Sequence, residues 1–237
     1  MSGDGRPRVL VFDVNETLTD LSPLARLMAR AGLPQESLPA WFAGVLRDGI
    51  ALSLAGGHAS FGDVARDGLR TLAASARGVA DPEETAEDVL AALPRLPLQP
   101  DVPDGVRALR AAGYRLVTLT NGSAGTTRAV IERAGLTDCF ETHLDVEAVG
   151  RWKPAREAYA HAVAAVGVPA DEVALVSIHP WDIDGAARAG LATAWVRRTP
   201  EPYPVTCLPA AIEATSLPDL AERLVAQGQL IDGEGIG

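Results

Sequence analysis

The sequence predicts an α/β fold: a parallel sheet with helical crossovers, interrupted after its first strand by an all-helical insertion. Three observations carry this. Val9-Leu10-Val11-Phe12 is a run of four apolar residues that reads as a strand buried on both faces and stops abruptly at Asp13. From about Leu21 to Leu98 only helical patterns appear. From Val102 onward, short apolar runs alternate with helical stretches of about ten to fifteen residues, the rhythm of right-handed β-α-β units.

The helical insertion begins at Ser22-Pro23, a helix start, with Leu24, Leu27, Met28 and Ala31 at helical spacing and Gly32 as the stop. A second helix is expected over Ser37–Leu54, carrying Leu38, Trp41, Phe42, Val45, Leu46 and Ile50, and two more over Phe61–Ala76 and Pro82–Leu93. The proline-rich stretch from Leu93 to Pro100 is expected to close the insertion as an extended linker. The alternation then gives helix Pro103–Ala112, strand Arg115–Leu119, and a helix opening after Asn121-Gly122-Ser123 and ending near Gly135. Strand Thr142–Leu144, helix Pro154–Val166, strand Glu172–Ser177, helix Asp182–Ala189, strand Ala192–Val196 and helix Pro218–Ala226 follow. The tail Gly228–Gly237 is expected to fray. Residues 1–18 and 99–237 thus form a Rossmann-like core, and residues 19–98 a helical cap.

A chain of 237 residues that is 47% hydrophobic can bury a full core. Its formal charge of −10 argues against nucleic acid or an anionic membrane as partner, because both require a basic face. Cys139 and Cys207 make neither a metal spacing nor a disulfide framework, which fits a reducing compartment. Met1–Arg8 is short and polar without an apolar signal core, and no segment approaches the roughly 18 consecutive apolar residues of a membrane span. A soluble, cytoplasmic protein is expected.

Candidate chemistry sits at strand ends. In an open α/β sheet, ligands bind in the crevice at the carboxyl ends of the strands, and the first strand delivers Asp13 there. The alternative is an Asp that caps the turn. Thr120-Asn121-Gly122-Ser123 leaves another strand and opens a helix, so its hydroxyl, amide and backbone N–H groups could cradle an anion; the alternative is an N-cap and turn. Lys153, before Pro154 at a helix start, could hold Asp13 ionised, although a lone Lys is usually a surface residue. Ser177-Ile178-His179-Pro180-Trp181-Asp182 ends a further buried strand.

Asp13, Thr17, Thr120, Asn121, Lys153 and Asp182 arrive in the order and spacing of the four motifs of the haloacid dehalogenase (HAD) superfamily, which the chain resembles over nearly its whole length. Phosphatases of that superfamily carry a second Asp two positions after the nucleophile as general acid, where this chain has Asn15, an amide with no proton to exchange near neutral pH. They also place an acid as Mg²⁺ ligand where this chain has Ile178. A hard cation wants carboxylate oxygens, so no metal and no cofactor are expected. What remains resembles the type II 2-haloacid dehalogenase branch, whose final motif reads Ser-x-Asn-x-Trp-Asp. Ser177, Trp181 and Asp182 match it, and His179 stands where that branch has Asn. Trp152-Lys153-Pro154 with Tyr159, and Trp41 in the helical insertion, resemble further parts of the branch. Two positions depart from it: Phe42 replaces the usual cap arginine, with Arg47 the nearest other cation, and Asn15 replaces an aromatic.

The resemblance implies that Asp13 displaces halide from C2 of a short 2-haloalkanoic acid and that water then hydrolyses the aspartyl ester at its carbonyl. Lys153, Ser177 and Asp182 would keep Asp13 ionised and position water, and His179 could accept its proton, the alternative being that it only bonds a loop carbonyl or lines the pocket. Thr17, Thr120 and the N–H groups that follow would hold the substrate carboxylate, Asn121 would help receive halide, and Val14, Asn15, Trp41, Phe42, Gly122, Tyr159 and Trp181 would complete the pocket. Dimerisation is what the resemblance suggests. The competing readings are a HAD phosphatase with unusual metal ligation, a ring-opening hydrolase like azetidine-carboxylate hydrolase, and a non-catalytic HAD-like binding protein. A binding module, however, has no need of a nucleophile with its counter-ion.

Overall fold

The structure, a computed structural model, describes residues 7–34, 36–76, 78–79 and 81–234. The polar residues 1–6, part of the stretch read as lacking a signal core, lie outside them. Six parallel strands form one sheet in the order β3-β2-β1-β4-β5-β6: β1 Val9–Phe12, β2 Arg115–Thr120, β3 Thr142–Asp145, β4 Val173–Ser177, β5 Ala192–Val196 and β6 Ile212–Ala214. This is the doubly wound order, and its reversal point lies at β1, which pairs with both β2 and β4. The apolar run of β1 faces two cores. Leu10 and Phe12 pack into one cluster with Leu116 and Val176, and Val9 and Val11 into another with Val117 and Leu175. Because Phe12 is in register with Thr118 and Val176, the chain leaves β1, β2 and β4 along a common edge carrying Asp13, Thr120 and Ser177.

Between β1 and β2 lie α1 Ser22–Arg30, α2 Ser37–Leu54, α3 Phe61–Ser75, α4 Pro82–Ala92 and α5 Val102–Ala111. Helices α1 to α4 share an apolar cluster built on Leu24, Met28, Trp41, Val45, Leu69 and Val89. Trp152, from the sheet-bearing part, completes this cluster: it stacks on Phe61 with ring centroids 5.9 Å apart and donates Nε1–H to the Ala59 carbonyl at 3.0 Å. Gly49 permits the approach, since a Cβ there would sit 2.3 Å from the Trp152 ring. The two chain crossings between the parts pair with each other. Thr19 and Leu98 form an antiparallel bridge, flanked by Asp20 N–H to Pro97 O at 2.9 Å and Gln99 N–H to Leu18 O at 2.8 Å.

The remaining helices are α6 Ala124–Arg133, α7 Arg156–Val166, α8 Pro180–Arg188 and α9 Leu217–Glu234. Three differences from the sequence reading stand out. Leu93–Arg95 is a 3₁₀ turn rather than extended chain, because a proline in the first turn needs no N–H partner. Strand β6 was not foreseen, since three residues carry no readable periodicity. Helix α9 continues through Gly228 to Glu234 instead of fraying: Leu217, Leu220, Ala221 and Leu224 anchor it in the core, and its two glycines, Gly228 and Gly233, each cost only about 1 kcal/mol. Residues 235–237 of that tail lie outside the described residues. Among the described residues no helix is long and apolar enough to cross a membrane.

Candidate active site

Asp13 leaves the end of β1 almost completely buried. Its Oδ1 accepts a hydrogen bond from Lys153 Nζ at 2.8 Å and its Oδ2 one from Thr17 Oγ1 at 2.6 Å. Lys153 Nζ also donates to Asp182 Oδ2 at 2.7 Å, so one ammonium, fully buried, bridges two buried carboxylates. Tyr159 donates its hydroxyl to Asp182 Oδ1 at 2.7 Å. Thr17 Oγ1 accepts the Ile178 N–H at 3.1 Å, tying the β1 turn to the β4 turn.

Charge is distributed unequally over this cluster. Burial pushes the Asp13 carboxyl up, but Lys153 and His179, with the hydrogen bonds from Lys153 and Thr17, outweigh it and hold Asp13 below its ordinary value. Burial holds Asp182 above its ordinary value; Lys153 opposes this and Asp13 reinforces it. Burial lowers the Lys153 ammonium, but the two carboxylates more than compensate and raise it. Asp13 is therefore the acid kept ionised, as a nucleophile requires. Tyr159 is raised well above the phenol range, first by burial and then by Asp182, so it acts as a neutral donor.

His179, the residue capping α8, lies beside this cluster. Its Nε2 is 3.2 Å from the Asn15 carbonyl, 3.7 Å from Asp13 Oδ2 and 3.7 Å from Glu16 Oε2. Its ring stacks on Trp181 at 5.4 Å and faces Phe42 at 6.5 Å. Lys153 Nζ lies 5.9 Å from the Trp181 ring centre. A cavity of about 310 Å³ opens alongside, walled by Val14, Asn15, Thr120 and Gly122 from the strand ends and by Phe61 and Leu96 from the helical insertion.

Several expected site residues do other work. Of the N–H groups around the Thr120–Ser123 turn, that of Gly122 is taken by Thr120 Oγ1 at 2.9 Å, that of Ala124 by Asp145 Oδ2 at 2.9 Å, and those of Gly125 and Thr126 by Ser123 Oγ, which caps α6. Asn121 holds the Lys153 backbone with its amide, accepting its N–H at 2.8 Å and donating one amide hydrogen to its carbonyl at 3.2 Å, and so helps to fix the lysine. Tyr159 is fully buried behind Asp182 and is not a pocket wall. Trp41 points into the helical insertion, where Nε1–H donates to the Ala65 carbonyl at 3.1 Å, while its neighbour Phe42 turns toward His179. Ser177 Oγ accepts the His179 N–H at 3.1 Å and thus shapes the β4 turn. Arg47 is held on the surface by Asp48 at 2.7 Å and does not replace the cap arginine.

Sequence reading passed over Glu16, Gln99 and Arg198. Glu16 lies inside the Asp13–Thr17 turn, and burial raises its carboxyl, against the pull of His179 and with the push of Asp13. Arg198 follows the end of β5, so the rule that singled out the other strand ends would also have found it. Gln99 carries no sequence signal.

With this geometry in view, a family model described as haloacid dehalogenase-like hydrolase matches residues 7–190, well over half of the chain. The chain belongs to the haloacid dehalogenase-like hydrolases. Among relatives of this hydrolase, (S)-2-haloacid dehalogenase 1 of Pseudomonas sp. strain CBS-3 is 27% identical over 220 residues, 92% of this chain and 96% of the relative. The (S)-2-haloacid dehalogenase of Pseudomonas sp. strain YL is 38% identical over 99 residues, 42% of this chain and 43% of the relative. The solved L-2-haloacid dehalogenase RSc1362 superposes with a TM-score of 0.86 at 29% identity, over 92% of this chain and 99% of that one.

The donor set of this hydrolase does not fit the Mg²⁺ of the superfamily's phosphatases. Both oxygens of Asp13 and both of Asp182 already accept from Lys153, Thr17 or Tyr159, and the ammonium stands between the two acids where a cation would need them. Ile178 offers no ligand. Among the described residues, no three His, Cys, Asp or Glu side chains converge as a metal site.

Proposed function

We propose that this hydrolase converts short 2-haloalkanoic acids into 2-hydroxy acids through an ester on Asp13. The observation that carries the reading is the buried Lys153 ammonium, 2.8 Å from Asp13 and 2.7 Å from Asp182, which keeps the nucleophile charged without a metal. A carboxylate of Asp13 attacks C2 from behind the carbon–halogen bond; a C–O bond forms, the C–X bond breaks, and halide leaves with the electron pair. Thr17 and Lys153 fix the attacking carboxylate, while Asn15, Phe42, Thr120 and Trp181 line the approach. In the second step, water adds to the Asp13 carbonyl carbon and gives up its proton to the His179 imidazole. The 2-hydroxy acid then leaves as the C–O bond to Asp13 Cγ breaks, taking that proton back. Residues 19–98 act as the cap that closes over the cavity and excludes bulk water, with the paired crossings at Thr19 and Leu98 as hinge.

The names of the relatives point to the (S)-enantiomer as substrate. We place the enzyme in the cytoplasm, supported by two free cysteines, and as a homodimer, on the family resemblance; sedimentation velocity tests the latter. The function is tested by halide release from chloroacetate, fluoroacetate and both enantiomers of 2-chloropropionate, with p-nitrophenyl phosphate as comparison. Release from a 2-haloacid with no phosphate-ester turnover supports the reading; the reverse pattern overturns it.

A further inference from the structure

The turn that presents Asp13 contains a residue with a large side chain in left-handed backbone, Glu16 at φ 63°. Outside glycine such a conformation is strained and persists only where the surroundings over-determine it. Here the surroundings are two side chains from elsewhere in the chain. Arg198 Nη1 donates to the Thr17 carbonyl at 2.8 Å and to the Glu16 carbonyl at 3.4 Å, and Gln99 Nε2 donates to the Glu16 and Thr19 carbonyls at 3.3 and 3.4 Å. The guanidinium is itself fixed. Its Nη2 reaches both carboxylate oxygens of Asp101, at 2.9 and 3.0 Å, and Asp101 Oδ2 also accepts the Leu217 N–H at 2.8 Å, where α9 begins. Arg198 lies beyond residues 7–190, the stretch matched by the family.

We infer that Arg198, held by Asp101, is a positioning residue that sets the orientation of the Asp13 carboxylate through Thr17. The path is short. The guanidinium fixes the Thr17 carbonyl, Thr17 Oγ1 donates to Asp13 Oδ2 at 2.6 Å, and the same oxygen accepts the Ile178 N–H at 3.1 Å. If Thr17 shifts, Oδ2 loses its donor and the carboxylate turns about its remaining contact to Lys153, away from the line of attack on C2. Gln99 connects this anchor to the hinge, because its own N–H bonds Leu18 O within the paired crossings. One cluster thus holds both the nucleophile turn and the base of the cap. In its rate assay the inference rests on the dehalogenase reading; in its exchange assay it does not.

The test compares Arg198→Met, Arg198→Lys and Gln99→Leu with Arg197→Met, whose guanidinium pairs on the surface with Glu213. Rapid quench gives the rate of ester formation on Asp13, steady-state kinetics gives KM, and hydrogen exchange with mass spectrometry reads residues 13–19. A misplacement of about 1 Å is worth about 10²-fold in rate, so Arg198→Met should slow ester formation about 10- to 100-fold with KM little changed and speed exchange in residues 13–19. Arg198→Lys should recover part of both, Gln99→Leu should show a smaller effect of the same kind, and Arg197→Met should match wild type. Unchanged exchange and rate in a folded Arg198→Met protein overturn the inference, as does a rate loss that only follows the folded fraction. If Arg198→Met does not fold, wild-type behaviour of both Arg198→Lys and Gln99→Leu overturns it equally. Should wild type release no halide from any 2-haloacid, the dehalogenase reading fails, while exchange in residues 13–19 still decides the anchor.

Discussion

Replacing Lys153 by Met removes the ammonium and keeps most of the side-chain volume, leaving Asp13 and Asp182 facing each other in a buried site. At 2.7 and 2.8 Å, each ion pair is worth about 6 kcal/mol of Coulomb attraction at an effective dielectric constant of about 20, before the cost of desolvation. Desolvation cancels much of this, and breaking a buried pair by removing one partner typically costs about 3–5 kcal/mol, a large share of a domain stability of about 5–15 kcal/mol. The deficit should depend on pH with a definite sign. In wild type Asp13 lies below its ordinary value, so the stability it contributes is present at neutral pH and lost as pH falls through its folded value. Without Lys153, burial and mutual repulsion act unopposed and both acids move above their unfolded values. The deficit should then be largest at neutral pH and shrink as acid protonates the pair. Urea unfolding at pH 7 and near pH 4, each against wild type, measures this, and halide release should fall by at least about 10³-fold with the loss of the charged nucleophile. A variant within about 1 kcal/mol of wild type at pH 7, or one whose deficit grows in acid, refutes the placement of the charge.

Exhaustive EDTA treatment should leave dehalogenation unchanged, since the oxygens of Asp13 and Asp182 are already taken by protein donors; restoration by Mg²⁺ of a chelated, inactive enzyme counts against this. His179→Asn should slow ester hydrolysis by about 10²- to 10⁴-fold while leaving alkylation near wild type, seen as a mass shift on the quenched intact protein. Wild-type turnover, or a stall without adduct, removes His179 as the base. Gly49→Ala should destabilise the protein by about 1–3 kcal/mol through overpacking against Trp152, measured by the urea midpoint; an unchanged midpoint means the contact between α2 and Trp152 is looser than described.

The sheet was legible because burial on both faces leaves an unmistakable signal: β1 is apolar at every position and breaks off at an acid. Helix α2 was legible at both ends, from its apolar spacing alone. The family motifs named the residues of the ion-paired cluster, and the fold explains why, since β1, β2 and β4 end at one edge. What the sequence did not disclose was the direction in which side chains point. Trp41 and Phe42 are adjacent in α2, yet one bonds Ala65 in the interior of the insertion and the other faces His179. Asn121 and Tyr159 sit at motif positions but spend their polar atoms on Lys153 and Asp182, because buried amides and hydroxyls take whatever partner the backbone path brings within reach. Arg198 escaped notice for a related reason: an arginine after a strand reads as surface until a buried carbonyl turn is found beneath it.

The most direct test of the account is the destination of the solvent oxygen. In a single turnover in H₂¹⁸O, with enzyme in excess over (S)-2-chloropropionate, water attacks the Asp13 carbonyl carbon, so ¹⁸O should appear in the peptide carrying Asp13 and the lactate formed should be unlabelled. Label in the lactate and none on Asp13 would mean that water attacks C2 directly, and the ester mechanism built on the Lys153-held carboxylate would be contradicted.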